Sequence, residues 1–263
     1  MKTLSVVPRL MLDTKAIVPF PAAQVMIYQP SLKEIGMIGG DQTLLMGAEA
    51  LSRNYSNFKD KVDSVDISDF EIFMKVIGEK SDKNRQIAQA VEQVLFLIFP
   101  NYKVGFTPRS IILQEDNENK TIHMIDANNF KDFGLVIRDI FCLAELSGTS
   151  GDDYNPSGDR ARALVEKFRK KKELLAELRR EQGKDDNVSI FGRYMDILAV
   201  GLKKDKNVLA NYSVYQITEE FKRFQLKETF DYTIQAKMAG AKNVKDAKDW
   251  MGDIQFGVDN DDD

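Results

Sequence analysis

The sequence predicts an α+β, predominantly helical fold. Three observations carry that prediction. Apolar residues recur at spacings of three and four through most of the chain, Ser-x-x-Glu patterns stand immediately ahead of such runs, and one pair of β-rich segments near 110–125 flanks a polar turn. At 263 residues with 43% hydrophobic content, the chain can bury a sizeable core but lies near the size at which cores divide.

Residues 1–28 mix Pro8, Pro19 and Pro21 with Val, Leu and Ile, which suits short extended segments. They read as an extended N-terminal arm, either an edge hairpin or an arm that docks on a neighbour. Ser31-Leu32-Lys33-Glu34 is a capping box and starts a short helix that ends near Gly39-Gly40. Asp41 is placed to cap the next helix, through about Arg53, with Leu44, Leu45, Ala48 and Leu51 on one face. A second capping box, Ser68-Asp69-Phe70-Glu71, opens a helix to about Glu79, and Ser81 or Asp82 opens a stronger one that Pro100 closes. Its stripe is Ile87, Val91, Val94, Leu95 and Ile98.

Ser110-Ile-Ile-Leu-Gln and Thr121-Ile-His-Met-Ile then read as the one convincing hairpin. Asp126, Asn128 or Asn129 can cap the helix bearing Phe130, Phe133, Ile137, Ile140, Phe141 and Ala144. Together, residues 29–147 form an α+β domain. Residues 148–158, rich in Gly, Ser, Asp and Asn, form a linker. Residues 159–254 follow as a helical domain: a long charged helix to Gln182, a helix from Ser189 to about Leu202, an aromatic helix from near Val208 or Ser213 to Met238, and a short helix capped by Asn243 that carries Trp250. Residues 255–263 make a disordered acidic tail.

Composition narrows the chemistry. The chain has 37 Lys and Arg against 41 Asp and Glu, a net charge of -4, which disfavours a surface that traps nucleic acid throughout. The single Cys142 cannot form an intramolecular disulfide, and with the single His123 it cannot assemble a Cys/His zinc site within one chain. A soluble, reducing compartment fits these counts. The longest uninterrupted apolar run, Val94 to Phe99, is far below the roughly twenty residues a membrane-spanning helix needs. Nor does the N-terminus form a secretory signal. Gly36-Met-Ile-Gly-Gly40 lacks the Lys-Ser/Thr of a phosphate loop, and Gly148-Thr-Ser-Gly151 lacks the nucleophile-elbow arrangement. The acidic tail lacks the Gly and closing Glu of a calcium loop. No catalytic residue, metal ligand or cofactor site is therefore assigned. His123 reads as a strand side chain and Cys142 as a small core residue.

Two helices remain as partner surfaces. Between Asp159 and Glu181, nine Lys or Arg face five Asp or Glu, with Arg169, Lys170, Lys171 and Lys172 adjacent and Phe168 beside them. Leu164, Phe168, Leu175 and Leu178 draw a narrow apolar stripe along the same helix. Three roles fit: a solvated helix packed along that stripe, a charged face for protein recognition, or a phosphate-binding face for nucleic acid. The aromatic helix carries Tyr212, Tyr215, Phe221, Phe224, Phe230 and Tyr232, with further apolar residues around its circumference, so it must touch more than one neighbour. Those neighbours are either the helix from Ser189 and the Trp250 segment, or a partner protein. Phe168, Arg169, Lys170, Lys171, Lys172, Tyr215, Phe221, Phe224 and Trp250 are the candidate protein-binding residues.

Tyr154-Asn-Pro-Ser-Gly-Asp-Arg-Ala-Arg-Ala163, the charged helix after it, the stretch from Leu209 to Phe224, and Met238-Ala-Gly-Ala-Lys242 through Asp249-Trp-Met251 resemble proteins encoded in tail-morphogenesis clusters of tailed bacteriophages. Tyr28-Gln-Pro-Ser-Leu-Lys-Glu-Ile35 is similar to the opening of such proteins. The resemblance covers about half the chain, mainly its C-terminal part. It implies a non-enzymatic tail assembly chaperone or adaptor that holds tape-measure, tail-tube or baseplate subunits. A structural subunit of the tail tip or baseplate is also compatible with it. The implied location is the host cytoplasm during assembly, or the virion tail. The internal hairpin departs from the smaller, helical form of typical tail chaperones.

Overall fold

The computed structural model describes residues 6–53, 55, 67–115, 120–143, 189–240 and 250–251. The fold is α+β and predominantly helical, with two small antiparallel sheets. The linker, the charged helix with Phe168 and Arg169 to Lys172, and the acidic tail lie outside the described residues.

The first described segment is not extended throughout. Arg9–Asp13 forms one helical turn (α1), and Val18–Phe20 (β1) pairs antiparallel with Val25–Ile27 (β2) around a 3-10 turn at Pro21–Ala23. Alternation decides the hairpin's orientation: Val18, Phe20, Val25 and Ile27 point into the core, while Pro19 and Met26 face out. Pro19 sits on the outward face of a two-stranded edge, where its missing amide costs no ladder bond to a further strand.

Leu32–Met37 (α2) is capped as its sequence predicts: the Ser31 hydroxyl accepts the Glu34 amide, and the Glu34 carboxylate accepts the Ser31 amide at 2.7 Å. Gly39 and Gly40 then turn the chain with φ of 102° and 83°, which glycine adopts without steric cost. Asp41–Ser52 (α3) follows. Its N-cap is Gly40, and the expected cap Asp41 is the first helical residue instead. The Asp41 carboxylate accepts the amide of Ile190, far along the chain.

Asp69–Gly78 (α4) and Asp82–Ile98 (α5) start at Ser68 and Ser81, whose hydroxyls accept the Glu71 and Asn84 amides. Helix α5 packs along α3 and buries Ala90, Val91, Val94, Leu95 and Ile98. The expected hairpin is part of a three-stranded meander, Tyr102–Thr107 (β3), Ser110–Glu115 (β4) and Ile122–Asp126 (β5), ordered β3-β4-β5. The registers Ile111↔Ile125 and Leu113↔His123 place Ile111, Leu113 and Ile125 on the buried face. Phe130–Ile140 (α6) follows and packs mainly against α3. Its N-cap Asn129 makes no side-chain cap. Instead the Asn129 amide group bonds back to the strand end, accepting the Asp126 amide at 2.9 Å and donating to Met124 O at 3.1 Å.

An aromatic cluster closes this region. Phe130 lies 4.9 Å from Phe73 and 5.3 Å from Phe70, and Phe133 lies 5.8 Å from Phe20 and 6.1 Å from Phe99. His123 is half-buried in the sheet, edge-on to Tyr102, with Nδ1 3.2 Å from Ala23 O. Cys142 is buried. Both match their expected structural roles.

Ile190–Gly201 (α7), Lys206–Leu209 (α8) and Val214–Met238 (α9) complete the described helices. Ser189, Asp205 and Ser213 cap them, and Ser213 with Gln216 forms a third capping box. Phe191, Leu198, Leu209, Val214, Tyr215 and Ile217 join the same buried cluster as the first half of the chain. The core therefore spans both sides of the Gly-rich segment. Among the described residues, no helix is long and apolar enough to cross a membrane.

Candidate interaction surface

Two stretches that carry the sequence resemblance, Tyr28–Ile35 and Leu209–Phe224, meet in space. The first amides of any helix lack intrahelical acceptors. In α2 the Leu32 amide donates to Tyr212 O at 3.0 Å and the Lys33 amide to Ala210 O at 2.9 Å, so the turn between α8 and α9 supplies what α2 lacks. Ser31 and Ser213, the caps of α2 and α9, form an antiparallel bridge beside them.

Side chains reinforce this clasp. Lys15 Nζ donates to Asn211 O at 3.1 Å and lies over the Tyr28 ring, 5.8 Å from its centre. Gln216 donates to Asp13 O at 2.7 Å, and Arg9 pairs with Glu219 at 3.1 Å. Lys204 donates at 2.9 Å to both the Tyr212 hydroxyl and Glu220. Burial pushes the Lys204 ammonium down, but these two partners outweigh it and hold its pKa above the usual lysine value. Burial likewise lowers Lys15, opposed by Glu34. Lys15, Gln216 and the Arg9–Glu219 pair hold the two halves of the chain together, while Lys204 braces the α8–α9 turn within one half.

The candidate binding residues of the aromatic helix divide accordingly. Tyr215 is 4% exposed and belongs to the core, where burial raises its hydroxyl pKa, so it is not available to a partner. Phe221 stacks on Tyr194 with ring centres 3.9 Å apart and planes 13° apart. Phe224 lies against Gly201 of α7. Trp250 is half-buried, and its carbonyl accepts Arg223 at 2.8 Å. Helix α7 thus covers the first part of α9, as one of the two sequence readings required, and Trp250 touches the same part through its carbonyl. Phe168 and Arg169 to Lys172 lie outside the described residues.

The far part of α9 differs. Tyr232 follows Val214 by five helical turns of about 3.6 residues, so it shares the face of Val214, Thr218 and Phe221, with the polar Gln225 and Glu228 between. Val214 and Thr218 are buried, whereas Tyr232 is 66% exposed. Ile234 and Met238 are exposed with it. Apolar side chains of α9 thus extend past its cover, and sequence periodicity alone could not locate where the cover stops. Among the described residues, no group of three or more His, Cys, Asp or Glu is placed to hold a metal ion.

Comparison with known proteins yields one family. Residues 191–255, about a quarter of the chain, match the YomV second domain, a family derived from a Bacillus phage. That stretch holds nearly all of α7, then α8, α9 and Trp250. No curated protein and no solved structure matches the chain.

Proposed function

We propose that this chain is a non-enzymatic adaptor or chaperone of bacteriophage tail assembly, acting in the host cytoplasm. In this reading it holds a tape-measure, tail-tube or baseplate subunit against the exposed end of α9. The observation that carries the reading is the exposure of Tyr232, Ile234 and Met238 at the far end of α9, beyond the part of the helix that packs on its intramolecular neighbours. The match to a phage-derived family over the same helix supports the phage setting. Exposed apolar side chains at the end of a long helix offer a partner helix anchors of the kind used in helix recognition.

Co-expression with the tape-measure, tail-tube and baseplate proteins encoded beside it, followed by pull-down, tests the proposal. A complex with one of them is expected, weakened at least tenfold by Tyr232→Asp with Met238→Asp. Absence of a complex with any of these proteins would sink it. Mass spectrometry of purified particles separates the roles: a chaperone is absent from them, and a virion subunit is present.

A further inference from the structure

A cavity of about 470 Å³ opens between α3, α4 and α5. Each helix contributes residues at helical spacing: Met46 and Ala50 from α3, with Arg53 just past its end, Ile72 and Val76 from α4, Lys83 and Ile87 from α5. The wall is therefore apolar, and its charged groups are Arg53, Lys83 and one carboxylate, Glu49. Arg53 and Lys83 are exposed, so the cationic excess sits where the cavity meets water. The Tyr55 hydroxyl, also in the lining, donates to Ala50 O at 2.9 Å, and burial pushes its pKa up to about 12. It stays neutral and adds no charge to the apolar wall.

We propose that this cavity binds a single-chain anionic amphiphile, a fatty carboxylate whose tail fills the slot and whose head pairs with Arg53 and Lys83. This goes beyond the adaptor reading and does not depend on it. Size and charge select the class. A cavity of about 150 Å³ holds one benzene ring, so three times that volume accepts roughly a dozen to eighteen carbons, one alkyl chain and not two. It also falls within the range of about 300–1,000 Å³ typical of small-molecule sites that are apolar with a few polar groups at fixed positions. A cationic head would meet two cations against one carboxylate in the lining and a neutral head would gain no ion pair, whereas an anionic head gains from that balance.

Calorimetric titration of the full chain with dodecanoate, decanoate and dodecyltrimethylammonium, each below its critical micelle concentration, tests this. Dodecanoate is expected to bind about fifteenfold tighter than decanoate, the effect of two buried methylenes. It should also bind about tenfold tighter than the ammonium of equal tail length, the effect of two exposed ion pairs. Arg53→Glu with Lys83→Glu should reverse the head-group preference and keep the tail dependence, and Val76→Trp should fill the slot and abolish binding. If Val76→Trp does not melt cooperatively, the charge-reversed pair, at exposed positions, decides alone. Equal affinity for the two heads, no dependence on tail length, or no binding heat from any of the three amphiphiles overturns the proposal.

Discussion

Gly47 sits where α3 meets α5, and a Cβ there would lie 2.7 Å from the Ala90 carbonyl carbon and 2.8 Å from Val94 Cγ2. The obstacle includes backbone, which cannot rotate away. Gly47→Ala therefore trades a gain in helix propensity for overpacking, and the loss wins by about 1–3 kcal/mol in a urea titration. An unchanged midpoint would refute this contact. Glu34 offers a test of sign. Burial pushes its carboxyl up, but hydrogen bonds from the Ser31 hydroxyl and amide and the charge of Lys15 outweigh burial, leaving its pKa below the ordinary 4.5. A carboxylate depressed in the folded state contributes stability above its unfolded pKa of about 4.3, and that contribution is lost as pH falls through the folded value. Glu34→Gln should be less stable than the parent at pH 7, with a gap that narrows below pH 4 when urea midpoints are compared. A gap independent of pH would show that the charge contributes nothing.

The helices were legible wherever a local signal was sufficient. Serine caps at Ser31, Ser68, Ser81, Ser189 and Ser213 stand at the starts that their sequence patterns indicate, because a cap is made by residues three apart in the chain. Strands β1 and β2 form the edge hairpin that was one of the two readings of residues 1–28, whereas β3 escaped the pattern because Tyr102–Thr107 is interrupted by Gly105. The clasp joining α2 to the α8–α9 turn was not legible at all, because it uses backbone amides and carbonyls that every residue carries. It can still be isolated. Leu32 is the first residue of α2, where proline fits the helix, and its predecessor Ser31 is already extended with ψ of 159°. Leu32→Pro and Leu32→Ala both lose the buried side chain, but only proline removes the amide that reaches Tyr212 O. Proline should cost about 1–2 kcal/mol more than alanine, the penalty of leaving that carbonyl without its donor. Equal stabilities would mean that the clasp is incidental.

Across the whole molecule, contacts between distant segments tie α7 and α9 into the body. The Asp41 carboxylate accepts the Ile190 amide at the start of α7, and a negative charge there also complements the positive end of the helix. Asp41→Ala is expected to cost about 1–2 kcal/mol and to speed amide hydrogen exchange in the first turn of α7, with the first turn of α4 unaffected. Because Phe191, Leu198 and Ile217 share one buried cluster with Phe133 and Leu51, unfolding followed by the fluorescence of the single Trp250 should coincide with loss of helix by circular dichroism. Two separated transitions would show that the halves fold independently. The amino-acid order alone settled the α+β class, the serine-capped helix starts and the structural roles of His123 and Cys142, since propensity, capping and hydrophobic period act over a few residues. It could not say which aromatic side chains of α9 are core. Tyr215 and Tyr232 look alike in the chain, and only the placement of α7 and the 28–35 segment, fixed by contacts between residues more than a hundred positions apart, buries one and leaves the other in water.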